Sequence, residues 1–169
     1  MKIYISGISG TGMGPLALMA KDVGFEVCGS DPAKGAIYDE LIAAGIEVEI
    51  GPQDGEYLEE RLREGLDWFV YTSALPEDHV ELVMAQKAGI KVTKRDDLTA
   101  YLVEKLNLKM VAVAGTHGKT TTTAMIVWAA LKLGLPVSYV VGTTLGFAAS
   151  GAYEKGDKQT SSEAQKIPP

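Results

Sequence analysis

The sequence predicts a doubly wound α/β fold, a parallel sheet with helices on both faces, followed by the beginning of a second α/β domain. Short apolar segments rich in Val, Ile and aromatic residues alternate with segments of helical period, as they do in βα units. Two clusters of glycine stand where such a segment would turn into a helix. Apolar residues make up 46% of the chain and charged residues 22%, so a globular core can form.

The first unit contains five predicted strands, at residues 2–6, 26–29, 47–50, 68–71 and 91–93. A helix is expected after the first glycine cluster, because apolar residues recur there at helical spacing: Leu16, Met19, Ala20 and Val23. A second such stripe closes the unit: Leu98, Tyr101, Leu102 and Leu106. Asp96 and Asp97 stand in its first turn, where the helix dipole favours negative charge.

The second unit begins after Asn107. Residues 110–114 are uniformly apolar, which predicts a parallel strand buried on both faces. A helix should follow, with an apolar face formed by Ala124, Val127, Trp128 and Leu131, and then a strand at 137–141. Residues 154–169 are mostly polar and would gain little burial on ordering. We therefore expect one domain over residues 1–107 and the truncated start of another over residues 108–169.

Composition argues against several classes of protein. The net charge of −6 is opposite to that of nucleic-acid binders. The longest apolar run, at 125–131, is far shorter than the ~20 residues of a membrane span, and the N-terminal residues lack the apolar region of a secretory signal, so we expect a cytoplasmic protein. The single cysteine, Cys28, can form no intrachain disulfide, and the two histidines lie far from it in sequence.

The second glycine cluster has the parts of a phosphate-binding loop. Residues 110–123 read MVAVAGTHGKTTTT, an apolar segment, a glycine turn, Lys119, Thr120 and a helix start. It is a shortened variant of the P-loop, since Val113 stands where the first glycine of GxxxxGK[ST] would be. Lys119 would pair with the β and γ phosphates and Thr120 would ligate Mg²⁺. A glycine turn with a Thr-rich cap is the alternative. His117 could donate to a phosphate or shape the turn.

The first glycine cluster, residues 7–14, lies where a doubly wound fold binds the phosphates of a nucleotide. Asp31 follows Gly10 by 21 residues, about where a ribose-binding acid is expected, although a plain turn explains Asp31 equally well. An NAD site is disfavoured because Pro15 stands where GxGxxG requires its third glycine. A diphosphate site remains possible, and glycines that only permit close packing are the alternative. Residues 72–74 follow the fourth strand on the same edge of the predicted sheet. They could contact the ligand, and a simple loop after the strand is the alternative.

Four segments together, GISGTGMGPLALMAKDVGFEVCGSD, YTSALP, IKVTKRDDL and VAVAGTHGKTTTTAM, resemble the N-terminal part of the Mur ligases of peptidoglycan synthesis. The resemblance covers residues 1 to about 151. It implies a Rossmann-like first domain that holds the UDP of a nucleotide sugar, followed by a P-loop α/β ATPase domain. The implied UDP-sugar contacts are Ser9, Gly10, Thr11, Gly12, Met13, Gly14, Ser30, Asp31, Ser73 and Ala74. The implied ATP contacts are Gly115, Thr116, His117, Gly118, Lys119, Thr120 and Thr121, with Lys119 catalytic and Thr120 on the metal.

The resemblance also implies a reaction, with ATP and Mg²⁺ as cofactors. ATP would phosphorylate the carboxylate of UDP-N-acetylmuramate, and the amine of L-alanine would attack the acyl phosphate to form an amide. The family's further acidic and histidine residues and its third domain are not found in the 169 residues, so we expect this chain alone to be inactive. Two alternatives stay open: a recycling ligase that attaches a tripeptide to UDP-N-acetylmuramate, and a non-catalytic nucleotide-sugar-binding module. Neither nucleic acid nor a membrane is an expected partner.

Overall fold

The computed structural model describes residues 1–155. The predictions for residues 156–169 lie outside this range. Five strands form one wholly parallel sheet in the order β3-β2-β1-β4-β5, as in a doubly wound fold. Their bounds are β1 Lys2–Ser6, β2 Glu26–Asp31, β3 Glu47–Ile50, β4 Trp68–Tyr71 and β5 Lys91–Lys94. The predicted fold class is confirmed, and only β2 and β5 extend beyond the predicted strands.

Helices cover both faces of this sheet. Their bounds are α1 Gly14–Asp22, α2 Tyr38–Ala43, α3 Glu56–Arg63, α4 Val80–Lys87 and α5 Arg95–Lys105. Successive side chains of β1 point to opposite faces, so Ile3 and Ile5 pack in a core with residues of α1 and α5, whereas Tyr4 packs in a second core. That second core also holds Phe69 of β4 and the buried leucines of α3 and α4.

The predicted buried strand at residues 110–114 is wrong. These residues form no strand, and Met110 and Val111 are 65% and 84% exposed. A strand requires a neighbour with which to exchange backbone hydrogen bonds, and among residues 1–155 no strand lies beside this segment. Apolar composition alone therefore does not place it in a sheet.

The predicted helix after the second glycine cluster is confirmed as α6, Lys119–Lys132. Its apolar face is not covered as expected: Val127 is buried, but Trp128 and Leu131 are 49% and 41% exposed. None of the helices within residues 1–155 is long and apolar enough to span a membrane.

The predicted strand at 137–141 is shorter and belongs to an antiparallel pair, β6 Tyr139–Val140 with β7 Gly151–Ala152. This hairpin packs against the first unit. The N–H of Ser150 donates to Oε2 of Glu40 at 2.6 Å, and the N–H of Tyr153 donates to Oδ2 of Asp22 at 3.1 Å. The chain that follows α6 is thus attached to α1 and α2.

Candidate functional site

The first glycine loop bends sharply over the end of β2. The N–H groups of Gly7 and Ile8 both donate to the carbonyl oxygen of Ser30, at 2.8 and 3.2 Å. Gly7 adopts a φ of +78°, which L side chains rarely take, and a Cβ there would lie 3.2 Å from Cγ2 of Thr72. Glycine is therefore required where the loop leaves β1.

Ser9 and Asp31 hold the underside of this loop. Oδ2 of Asp31 accepts from the N–H of Ser9 at 3.0 Å, and Oδ1 accepts from the N–H of Ala33 at 3.4 Å. The Ser9 hydroxyl, fully buried, donates to the carbonyl of Ala33 and accepts from the N–H of Gly35. The turn role of Asp31 is thus observed, while its contact with a ribose stays a prediction. The hydroxyl of Ser9 supports the loop from below.

Two backbone donors of the loop are left over. The N–H of Gly10 donates to Gly7, and those of Met13 and Gly14 donate to Gly10. The N–H groups of Thr11 and Gly12 donate to no acceptor among the residues that the structure describes. They lie just before α1, whose N-terminal dipole favours an anion.

Thr11 and Gly12 line a cavity of about 310 Å³ at the carboxyl edge of the sheet. The cavity is lined by Gly7, Gly10, Thr11, Gly12, Met13, Thr72, Ser73, Lys94, Arg95 and Asp96. Of the predicted contacts, the structure therefore brings Ser73 together with the glycine loop. Ala74 is not among the lining residues, and its N–H donates to the hydroxyl of Thr72 at 3.4 Å.

Ser30, a predicted ligand contact, is not among the residues that line this cavity. It is 2% exposed, and its hydroxyl donates to the carboxylate of Glu81 at 2.6 Å. Burial removes that hydroxyl from the cavity, so the link between Ser30 and the site runs through its backbone carbonyl, which shapes the loop.

Lys94 and Arg95 are the cations of the cavity, and the sequence interpretation did not select them as site residues. They stand where β5 ends and α5 begins. The guanidinium of Arg95 donates from Nε and Nη2 to Oδ1 of Asp96, at 3.0 and 2.9 Å, and both side chains are exposed. A planar guanidinium beside free amides suits the oxygens of a diphosphate. Two adjacent basic residues after a strand are the signal that could have identified them.

The second glycine loop also turns directly into the start of a helix. Gly115 and Gly118 have φ values of +152° and +78°, and α6 begins at Lys119 directly after them. Within residues 1–155, the backbone N–H groups from Thr116 to Thr121 donate to no protein acceptor. Because Gly118 is the capping residue and has no side chain, the alternative of a threonine cap is not what the structure shows.

The ammonium of Lys119 occupies the middle of this loop. It donates to the carbonyl oxygens of Gly115 at 2.6 Å and of Thr116 at 3.2 Å. His117 and Thr120 are exposed, and the hydroxyl of Thr120 has no hydrogen bond to residues 1–155. Free amides, one cation and a free hydroxyl form the donor set that fits a triphosphate with its metal ion. No cluster of three or more His, Cys, Asp and Glu side chains is placed to hold a metal within the described chain.

Comparison with known proteins gives consistent results. Residues 2–106 match the family model described as Mur ligase family, catalytic domain. The UDP-N-acetylmuramate–L-alanine ligase of Symbiobacterium thermophilum is 40% identical over 157 residues, which cover 92% of this chain and 31% of that protein. The chain spans about a third of the length of the curated relatives it matches.

Two solved structures share the fold. The UDP-N-acetylmuramate-alanine ligase MurC of Thermotoga maritima superposes with a TM-score of 0.79 at 28% identity, covering 92% of this chain and 35% of that one. A murein peptide ligase of Psychrobacter arcticus superposes with a TM-score of 0.74 at 33% identity, covering 95% of this chain and 35% of that one. On the match of most of the first unit to the family model, the chain belongs to the Mur ligase family.

Proposed function

We propose that this chain is the N-terminal part of a cytoplasmic, ATP-dependent ligase of peptidoglycan synthesis that joins L-alanine to UDP-N-acetylmuramate. In this proposal residues 1–107 bind the nucleotide sugar, and residues 108–169 begin the ATP-binding domain. The observation that carries it is the pair of glycine loops, each at the N-terminus of a helix and each with backbone N–H groups that donate to no acceptor within residues 1–155. The names of the relatives support the choice of substrates.

At the first loop, the diphosphate of the nucleotide sugar would accept from the free N–H groups of Thr11 and Gly12. Arg95 and Lys94 supply positive charge on the opposite side of the same cavity, and Ser73 lies at its rim. This arrangement supports diphosphate binding in a chain of net charge −6, because local donors act at close range where the overall field is screened. The ribose would lie towards Asp31.

At the second loop, Lys119 would exchange its two carbonyl partners for phosphate oxygens, and Thr120 would hold Mg²⁺. When bound, ATP supplies the phosphoryl group that activates the muramyl carboxylate, so that the amine of L-alanine can displace phosphate. Lys119 contributes by stabilising negative charge on the transferring group, and the loop amides by orienting it. No residue of 1–155 is proposed to contact L-alanine, and the ligation would depend on the central and C-terminal regions that the longer relatives have.

One specific observation favours a second candidate. The murein peptide ligase of Psychrobacter arcticus is 33% identical to this chain, against 28% for the alanine ligase of Thermotoga maritima. A recycling ligase that joins a peptide to UDP-N-acetylmuramate would use the same two loops. The two candidates differ in the amine substrate.

Calorimetry on the chain with UDP-N-acetylmuramate, UMP, ATP and NAD tests the proposal. We expect the uridine ligands to bind, UDP-N-acetylmuramate more tightly than UMP because it carries the diphosphate, and NAD not to compete. Tight NAD binding with no response to uridine ligands would overturn the assignment of the first loop. Binding of the uridine ligands with no ATP response would leave only a nucleotide-sugar-binding module.

A further inference from the structure

A buried carboxylate contacts residues that adjoin the first glycine loop. Glu81, in the first turn of α4, is 1% exposed. Its Oε1 accepts from the hydroxyl of Tyr4 at 2.5 Å, and its Oε2 accepts from the hydroxyl of Ser6 at 2.6 Å. The hydroxyl of Ser30 lies between the two oxygens, at 2.6 and 2.9 Å. One side chain of α4 thus accepts hydrogen bonds from side chains of both β1 and β2.

Gln53, from the segment after β3, completes this cluster. Its Nε2 lies 3.1 Å from Oγ of Ser6 and 2.8 Å from Oγ of Ser30. Since an amide nitrogen only donates, both serine hydroxyls are left to donate to Glu81. Gln53 is one of two residues other than glycine in the described chain with a positive φ, +52°, and these bonds tie its side chain into the cluster.

Burying a carboxylate as fully as that of Glu81 is energetically unfavourable. Among the described residues no Lys, Arg or His forms an ion pair with Glu81. Burial of a carboxylate costs several kcal/mol unless hydrogen bonds replace its water, and well-packed apolar side chains are often at least as stabilising as buried charged groups. The hydroxyls of Tyr4, Ser6 and Ser30 and the amide of Gln53 replace that water, so the cost of burying Glu81 is offset only while these partners keep their positions.

The partners of Glu81 flank the glycine loop. Ser6 immediately precedes Gly7, and the carbonyl of Ser30 accepts from Gly7 and Ile8 at 2.8 and 3.2 Å. The same residue, Ser30, is therefore held by Glu81 through its hydroxyl and holds the loop through its carbonyl. A change at Glu81 reaches the amides of Gly7 and Ile8, at the start of the loop, through one intervening residue, Ser30.

We propose that Glu81 is a positioning residue for the diphosphate subsite: it fixes Ser6 and Ser30 so that the N–H groups of Thr11 and Gly12 face the ligand. This inference rests on the proposed binding of a UDP-sugar by the first unit. In this role Glu81 would act through its partners and not by contact with the ligand. Its effect is confined to the part of the ligand that contacts the loop.

The test compares two ligands in the Glu81→Gln variant, which keeps the shape of the side chain and removes its charge. We expect affinity for UDP, measured by NMR titration of the full chain, to fall ~10-fold, while affinity for uridine, which lacks phosphate, stays the same. The control is Leu82→Ala, a buried neighbour on α4 that packs in the second core and has no polar side-chain atom to bond with Glu81 or its partners. It should lower stability and leave the UDP-to-uridine ratio unchanged.

Amide chemical shifts of the ligand-free protein provide a second readout. In Glu81→Gln the amides of Gly7, Ile8, Thr11 and Gly12 should shift, and in Leu82→Ala they should not. If Glu81→Gln fails to fold, Ser30→Ala takes its place. This variant removes the hydroxyl that donates to Glu81 but keeps Glu81, and its amide shifts are compared with those of Leu82→Ala in the same way. Unmoved loop amides with an unchanged affinity ratio would overturn the positioning role. A wild-type chain that binds no UDP would instead refute the proposed function, while the ligand-free shifts still decide the role of Glu81.

Discussion

Arg95 faces Gly12 across the carboxyl edge of the sheet: Nη1 of Arg95 lies 3.2 Å from the position that a Cβ on Gly12 would take. The φ of Gly12 lies outside the left-handed region, so alanine fits its backbone. In Gly12→Ala the flexible guanidinium must move aside, because the new methyl group occupies its approach. We expect a change of less than ~1 kcal/mol in the free energy of unfolding and about 10-fold weaker binding of UDP-N-acetylmuramate, measured by denaturation and calorimetry.

Gly14→Ala is the matched contrast for that substitution. A Cβ on Gly14 would lie 2.6 Å from Cβ and Cγ2 of Ile37, which is fully buried. We expect a loss of stability of ~1–3 kcal/mol from overpacking. Equal stability of the two alanine variants would contradict the packing described around α1.

Arg95→Gln tests the contribution of the guanidinium itself. Loss of one cation next to a diphosphate should weaken UDP-N-acetylmuramate binding by about 10- to 100-fold and reduce the salt dependence of that binding. Arg63→Gln is the control, since Arg63 is exposed on α3 and pairs with Glu59. If both variants bind alike, the cavity beside Arg95 is not the diphosphate site.

Lys119→Ala tests the separation of the two loops. Without its ammonium the second loop has only amides and Thr120 to hold phosphates, so we expect ATP binding to be lost and uridine-ligand binding to remain within about 2-fold. Lys132→Ala, at the far end of α6, should change neither. Calorimetry with each ligand gives the answer, and an equal loss of both affinities would show that the two sites are not independent.

The thiol of Cys28 and the phenol groups of Tyr4 and Tyr57, in or beside the second core, predict how the free energy of unfolding depends on pH. Burial raises the pKa of Cys28 from 9.0 to about 12, and burial likewise raises the pKa of Tyr4 and Tyr57. Folding favours the protonated form of each group. The stability that Cys28 contributes is therefore fully present below pH 9 and is lost as the pH rises from there towards 12. From Cys28 alone we expect a fall of ~1 kcal/mol between pH 9 and 10 in urea unfolding. Cys28→Ala should show a smaller decline, and a flat profile in the wild type would contradict the prediction.

Gly151→Ala tests the attachment of the β6–β7 hairpin. A Cβ at this position would lie 1.8 Å from the carbonyl oxygen of Pro15, which belongs to the backbone of α1 and cannot yield. We expect faster hydrogen exchange at residues 139–153, with the five-stranded sheet unaffected. Gly146→Ala, where nothing lies within 4 Å of the added group, should exchange as the wild type does.

Local pattern predicted the first sheet because its strands are short segments that contain Val, Ile or aromatic residues and are followed by polar, proline or glycine residues. β1, β3 and β4 occupy the predicted residues, and Leu16 and Leu98 mark helices that exist. Residues 110–114 have an equally apolar pattern, but a strand depends on a neighbour that may lie far away in the sequence. Pattern cannot supply that neighbour.

The site was predictable only in part for a similar reason. The glycines announce both loops, because their conformational freedom is a local property. The approach of Arg95 to Gly12 depends instead on the strand order, which places α5 beside the first loop. The bond between Ser30 and Glu81 joins residues 51 positions apart, so no local pattern indicates it.

The docked hairpin sets the geometry of any motion between the two loops. β6 is packed on α1, and only residues 133–138 connect it to α6. A helix of 14 residues is ~21 Å long, so the second glycine loop lies about that distance from this short connection. While Gly151 stays seated on Pro15, a change in the distance between the two glycine loops must therefore be taken up by residues 133–138 and by the segment that joins α5 to α6.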